Sequence, residues 1–463
     1  MKILLVVYDN ASHLSFFPQG CAYIAAALRN DGHDVSIYSQ DIYHYPDEHL
    51  TAMLDHNKYD VVGLGVIGGY YQYKKLLSLS KAINASKQRP FFVLGGHGPT
   101  PDPEYFLQKT NADAVVMGEG EKTIVELVDA VEKNRSLDYV DGIAYRSGDI
   151  ITINSRRPVV KDIDTIAMPA YDLFPMDQYR LYRKPHAVAT DFVLPVLAAR
   201  GCTFQCNFCY RMDAGYRTRS NDSILEEIEY LQNKYGVTYI IFSDELFMGS
   251  KKQAMSRSQA ILDSGLRKFK WSCDGRLNYA APNVLALMRQ AGCQFVNYGI
   301  ESLDNQVLKN MKKCLTKKQI IEGIKNTYAA GLSPGLNIIW GNIGDTKETL
   351  QESVDFLLKY DDGAQLRTIR PVTPYPGSSL YYYAIEKGLL NGIADFYENK
   401  HVNSDLVAVN FTRLSDEKFH GALCEANKTL LSNYYSKQCA SALRKTEDLY
   451  FNQNANFRGY RQT

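Results

Sequence analysis

Neither charge dominates this chain of 463 residues: 52 Lys and Arg stand against 51 Asp and Glu, a net charge of +1. A nucleic-acid binder carries a basic face that tips this balance, and no run of like charge forms a tail. Nucleic acid is therefore not an expected partner. No apolar run is long enough for a membrane span. The apolar opening Ile3-Leu4-Leu5-Val6-Val7 stops at Asp9, too short for the core of an export signal, and no small-residue cleavage site follows. The cytoplasm is the expected location. The nine cysteines are then expected as metal ligands, reactive thiols or buried apolar residues rather than disulfides. Low-complexity tracts and internal repeats are missing too. The 45% hydrophobic and 22% charged residues suit an ordinary globular chain of roughly two to four domains.

What is present is a double α/β alternation. Strand-length apolar runs fall at Lys2–Tyr8, Asp34–Tyr38, Val61–Val66, Phe91–Leu94 and Ala114–Met117, with helical stretches such as Gly20–Arg29 and Thr123–Val131 between them. Strands alternating with helices predict a doubly wound parallel sheet. Ligands of such sheets bind at the carboxyl ends of the strands. Three of those ends are glycine-rich: Gly63-x-Gly65-x-x-Gly68-Gly69, Gly95-Gly96-His97-Gly98 and Gly118-Glu119-Gly120-Glu121. Their bare backbone suits close approach by a broad, flat ligand such as a corrin, a flavin or a nucleotide. A second alternation has strand candidates at Leu194–Ala199, Tyr239–Phe242, Lys268–Cys273, Phe295–Ile300, Gly335–Trp340 and Leu366–Arg370. Six units predict a partial barrel, two short of closure. The expected domains are 1–140, a linker over 141–190, a barrel over 191–385, and a helical region over 386–463 capping the barrel mouth.

The sharpest feature is Gly201-Cys202-Thr203-Phe204-Gln205-Cys206-Asn207-Phe208-Cys209-Tyr210, just after the first barrel strand. Three thiols on one short loop suit a [4Fe–4S] cluster with one iron left open; a zinc site completed by a distant His, or incidental spacing, are the alternatives. Cys-x3-Cys-x2-Cys with an aromatic before the last Cys resembles the signature of the radical S-adenosylmethionine (SAM) superfamily. Further marks follow at strand ends: Ser243-Asp244-Glu245, Cys273-Asp274-Gly275-Arg276, Gly299-Ile300-Glu301-Ser302, Asn337-Ile338-Ile339 and Pro374-Tyr375-Pro376-Gly377.

The resemblance implies that Cys202, Cys206 and Cys209 bind the cluster. It implies SAM contacts at Tyr210, Ser243, Asp244, Glu245, Glu301, Ser302, Asn337 and Ile339. Arg276 suits the SAM carboxylate or a structural ion pair equally. A small-molecule substrate and an electron donor such as flavodoxin or ferredoxin are the implied partners.

The first domain resembles the cobalamin-binding domain joined to radical SAM barrels in the family that includes the anaerobic magnesium-protoporphyrin ester cyclase. The matching stretches are Pro18-x-Gly20-x-x-Tyr23, Gly32-His33-Asp34-Val35, Leu94-Gly95-Gly96-His97-Gly98-Pro99-Thr100 and Asp113-x4-Gly118-Glu119-Gly120-Glu121, with Met168-Pro169-Ala170-Tyr171-Asp172-Leu173 in the linker. Cobalamin neighbours are then expected at Pro18, Gly20, Gly65, Gly68, Gly69, Tyr70, Tyr71, Gly95, Gly96, His97, Gly98, Gly118, Glu119, Gly120 and Glu121. Tyr70 and Tyr71 either cover the lower face of the cofactor or simply start a helix. The familiar Asp-x-His-x-x-Gly pattern is lacking, since Asp9 is followed only by His13 and no matching glycine, so no His ligand to cobalt is expected. The first domain is either a true cobalamin domain or a vestigial one that docks substrate. A methylthiotransferase would carry three N-terminal cluster cysteines, where this chain has only Cys21.

The expected function is methylation of an unactivated carbon or phosphorus by a 5′-deoxyadenosyl radical and cobalamin. The alternative is a non-methylating ring closure, rearrangement or oxidation with the same cofactors. A non-catalytic cofactor carrier is a third class; it would not cleave SAM.

Overall fold

A computed structural model describes residues 1–11, 16–181, 186–454 and 456. His13 lies outside the described residues. The first sheet holds β1 (Lys2–Val7), β2 (Asp34–Ser39), β3 (Val61–Gly65), β4 (Phe91–Gly95), β5 (Ala114–Val116), β6 (Ile143–Ser147) and β7 (Ile150–Ile153), in the order β2-β1-β3-β4-β5-β6-β7. β1 to β5 run parallel, and β6 and β7 add antiparallel.

Successive residues of a strand face opposite sides, and both sides are buried here. Ile3, Leu5, Val61 and Val93 pack with Ala25, Leu28 and Leu127 on one face. Leu4, Val6, Val62 and Leu94 pack with Leu76, Leu79 and Phe106 on the other. Apolar side chains on both faces explain why these strands read as unbroken apolar runs.

The expected boundary at residue 140 is too early, because β6 and β7 extend this sheet to Ile153. Their sequence carries no unbroken apolar run: Arg146 and Ser147 interrupt β6, and Ile150 and Ile153 stand exposed on the edge strand. From there the connector crosses to the second half. Phe17 stacks on Tyr171 at 5.0 Å between centroids, and the Tyr171 hydroxyl donates to Glu227 at 2.6 Å.

The second sheet is an open half-barrel of six parallel strands. They are β8 (Val193–Val196), β11 (Tyr239–Phe242), β12 (Lys270–Gly275), β13 (Cys293–Glu301), β14 (Ser333–Trp340) and β15 (Arg370–Pro371), adjacent in that order. The short strands β9 (Ala199–Gly201) and β10 (Tyr216–Thr218) form a separate antiparallel ribbon. The last strand was expected at Leu366–Arg370 but is only two residues long. Arg367 is instead tied down, its guanidinium donating to the Pro334 carbonyl at 2.9 Å.

The C-terminal region is not one cap over the barrel mouth. Tyr381, Ala384, Leu390, Ile393, Phe396 and Tyr397 join the core of the first domain, beside Tyr73 and Phe106. The long helix Asp416–Phe451 instead packs on the helix Lys347–Tyr360 and on β14, where Phe419 stacks on Trp340 at 4.3 Å. Among the described residues, no helix is long and apolar enough to cross a membrane.

Candidate active site

The carboxyl edges of the two sheets face each other. After β4, the His97 ring lies 6.0 Å from the ring of Tyr210, the residue that follows Cys209. After β5, Glu119 and Glu121 meet Arg200 and Arg217, which sit on the two strands of the ribbon. Arg217 reaches Glu119 at 2.7 Å, Arg200 reaches Glu121 at 2.6 Å, and Arg200 reaches Glu119 at 3.3 Å. After β11, the Ser243 hydroxyl donates to Gln19, in the first helix of the other domain, at 2.6 Å.

The cysteine loop hangs between β9 and β10. Gly201 has φ +80°, and a Cβ there would lie 2.3 Å from the Gly215 carbonyl oxygen, so glycine closes the ribbon. The loop is pinned through Asn207. Its amide donates to the Met311 carbonyl at 2.9 Å, its carbonyl accepts from Leu380 at 2.7 Å, and its side chain pairs with Asn342 at 3.1 Å. Cys206 is buried, Cys202 half-buried and Cys209 exposed. The Cys209 thiol donates to Cys206 and pulls its pKa down to about 6, helped by Lys313 and Arg276 and opposed by burial. The same hydrogen bond raises the pKa of the Cys209 thiol, and burial raises that of Cys202. Among the described residues, no three His, Cys, Asp or Glu side chains converge to hold a single metal ion. One ion needs all three sulfurs within about 2.3 Å of one point, whereas a cluster takes each thiolate on a different iron. Three thiols on one loop suit that arrangement.

Of the residues expected around SAM, Tyr210, Ser243, Glu245, Asn337 and Ile339 are not fully buried. Asn337 donates to Asn297 at 2.7 Å, and Asn297 donates to Asp274 at 2.8 Å, a polar ladder across three strands. The others turn to protein partners. Asp244 is buried and accepts the amide of Ala198 at 2.6 Å and that of Ala199, bracing the chain into the cysteine loop. Burial pushes its carboxyl up to about 7. Arg276 lies 3.4 Å above the Phe204 ring and donates to the Lys313 carbonyl. Glu301 pairs with Lys313 at 2.8 Å. The Ser302 hydroxyl accepts the Asp304 amide at 3.2 Å. Lys313 had no signal in the sequence; it is one of two adjacent lysines in a turn.

The glycine loops lie together at the ends of β3, β4 and β5. Gly96 has φ +92°, and a Cβ there would sit 2.6 Å from the Val66 oxygen. Gly65 and Gly20 are exposed, with open space around Gly20. Gly95 and Gly98 belong to the same turn as Gly96, a Cβ on Gly98 meeting the Ile67 oxygen at 3.2 Å. Gly118 faces Arg156 and Asp213, and Gly120 packs on Ile24. Pro18 precedes the first helix. Gly68 faces Tyr397 and Tyr375, and Gly69 caps a helix that Tyr70 and Tyr71 begin. Tyr70 lies 6.3 Å from His401, ring to ring, and Tyr71 is exposed. Glu119 and Glu121 join the two halves instead of facing the open edge.

Among the described residues, buried polar atoms without a partner gather where the edges meet: Arg211 Nε, Asp213 Oδ2, Arg217 Nε and Glu121 Oε2. Buried polar groups are seldom left unpaired, and such a concentration fits a seam built around polar ligands. Glycine edge, cysteine loop and orphaned atoms thus suit cobalamin, a cluster and SAM.

Comparison with known proteins agrees. Residues 196–357 match the Radical SAM superfamily and residues 6–128 match the B12 binding domain. The chain is 33% identical over 402 residues to an uncharacterized methyltransferase, PH0819, of Pyrococcus horikoshii, covering 84% of each. It is 27% identical to the anaerobic magnesium-protoporphyrin IX monomethyl ester cyclase of Cereibacter sphaeroides, across 79% of this chain and 60% of that protein. The fold is shared with TsrM from Kitasatospora setae, a radical SAM methyltransferase solved with cobalamin and a [4Fe–4S] cluster, at a TM-score of 0.71 and 17% identity, over 93% of this chain and 88% of that one. Fold, site and kinship together make this chain a member of the radical SAM superfamily that carries a B12-binding domain ahead of its barrel.

Proposed function

We propose that this chain methylates an unactivated carbon or phosphorus of a small molecule. The observation that carries the reading is the meeting of the glycine edge of the first sheet with the cysteine loop of the second. When bound, the cluster and SAM supply a 5′-deoxyadenosyl radical and cobalamin supplies a methyl carrier. Cys202, Cys206 and Cys209 hold the cluster. Tyr210, Ser243, Glu245, Asn337 and Ile339 line the SAM side, and the loops Gly65–Gly69, Gly95–Gly98 and Gly118–Gly120 take the corrin. The Glu119–Arg217 and Glu121–Arg200 pairs keep the two sides in register and exclude water from the seam.

The relatives point the same way: a cytidylyl-2-hydroxyethylphosphonate methyltransferase of Streptomyces wedmorensis is 25% identical across 82% of this chain and 80% of that protein. A cytoplasmic enzyme supplied by flavodoxin or ferredoxin suits a cluster that must be reduced in every cycle.

The test is anaerobic reconstitution with iron, sulfide and cobalamin, then turnover with SAM carrying a labelled methyl group. Deoxyadenosine together with a labelled product heavier by one CH2 is expected. The second reading rests on the cyclase relative, and it predicts deoxyadenosine with a product that gains no carbon. In the cobalt(II) state, electron paramagnetic resonance is expected to show no nitrogen superhyperfine splitting, as for base-off cobalamin without a His ligand; a split signal shows a nitrogenous ligand and overturns that expectation.

A further inference from the structure

Three backbone outliers converge behind the cysteine loop. Glu301, Lys312 and Cys314 have φ of +67°, +54° and +54°, although none is glycine. Left-handed backbone costs such residues roughly 1–2 kcal/mol each, and strain of this kind marks places where geometry matters more than stability. What the strain builds is the Glu301–Lys313 pair, 2.8 Å long, with only 9% and 10% of the lysine and glutamate side chains exposed. A bulge between Gly299 and Glu301 turns the carboxylate toward the ammonium. Buried ion pairs are poor sources of stability, so the pair calls for another reason.

That reason lies next door. The turn bearing Lys313 is fastened to the cysteine loop: the Asn207 amide donates to the Met311 carbonyl at 2.9 Å, and its side chain donates to Asn310 at 3.3 Å. Arg276, stacked on Phe204 of the loop, holds the Lys313 carbonyl. The Lys313 ammonium lies 5.8 Å from the centre of the Phe208 ring, beside Cys209. The loop thus sees a positive charge whose position Glu301 fixes.

We propose that Lys313 is a positioning residue for electron transfer: held by Glu301, its ammonium raises the reduction potential of a cluster bound at Cys202, Cys206 and Cys209. The proposal rests on the cluster reading above. Adding an electron makes the cluster more negative. A fixed cation in a poorly solvated site favours that state, and a fixed anion opposes it.

The test is the midpoint potential of the reconstituted full-length protein without SAM, followed by electron paramagnetic resonance. Lys313→Met removes the cation and is expected to lower the potential. Glu301→Gln removes the anion and is expected to raise it. Lys313→Arg is expected to restore a value near that of the unaltered protein. A merely structural pair would move both neutral variants in one direction, or neither, and either result overturns the proposal. If Lys313→Met fails to hold four irons, Glu301→Gln decides: a raised potential supports the proposal and any other value overturns it. Unaltered protein that assembles no cluster overturns the cluster reading itself, an outcome distinct from an assembled cluster whose potential ignores both charges.

Discussion

At Gly96 a side chain has no room. An added Cβ would meet the Val66 carbonyl oxygen at 2.6 Å, on backbone already at φ +92°. Gly96→Ala is expected to destabilise the protein by roughly 1–3 kcal/mol, read by chemical denaturation of the cofactor-free chain. Cys206 carries a different penalty. Cys206→Ala leaves two thiols on the loop, and the brown absorbance and deoxyadenosine formation are both expected to vanish. A variant that keeps four irons and full SAM cleavage would refute the cluster assignment. Asp244 gives a pH signature. Its folded pKa of about 7 lies above the ordinary carboxylate value of 3.8, so the folded state favours the protonated acid. Its contribution is fully present below pH 4 and is lost as pH rises towards 7. Asp244→Asn cannot ionise, yet its amide oxygen can still accept from Ala198 and Ala199. The melting temperature of the unaltered protein is expected to fall relative to Asp244→Asn between pH 4 and 7. Parallel curves would count against this account.

Ribbon and sheet edge meet through the Glu119, Glu121, Arg200 and Arg217 group. Burial alone would push Glu119 upward, but the Arg217 hydrogen bond and the charges of Arg200 and Arg217 hold its carboxyl below the ordinary range. Its stabilisation is present at neutral pH and fades as pH falls below the usual carboxylate pKa. Glu119→Ala leaves Arg217 without its carboxylate partner and is expected to cost roughly 3 kcal/mol at pH 7. Calorimetry is expected to show the two halves melting separately. The parallel strands were legible because burial on both faces writes them as apolar runs. β6, β7, β9 and β10 were not, being short, mixed in polarity and defined by their partners. Around the site, the cysteine spacing and the glycine loops were readable because ligand geometry fixes them locally. Asp244 differs from its neighbours in a way the sequence did not write: Ser243 and Glu245 are exposed, and the residue between them is buried. Lys313 was invisible because its role depends on a carboxylate twelve residues earlier and on a loop more than a hundred residues away.

The whole chain closes on itself through residues 381–409, which complete the core of the first domain although the barrel separates them in sequence. Phe396 is fully buried there, stacked on His401 at 4.9 Å. Phe396→Ala is expected to cost about 3–5 kcal/mol and to destabilise the first domain rather than the barrel, which hydrogen exchange resolved by residue will tell apart. This closure also sets an order of manufacture. A ribosome finishes the strands of the first sheet early, yet the apolar surface around Tyr73 and Phe106 waits for segments made some 250 residues later. During that interval the first domain lacks the side chains that cover this apolar face.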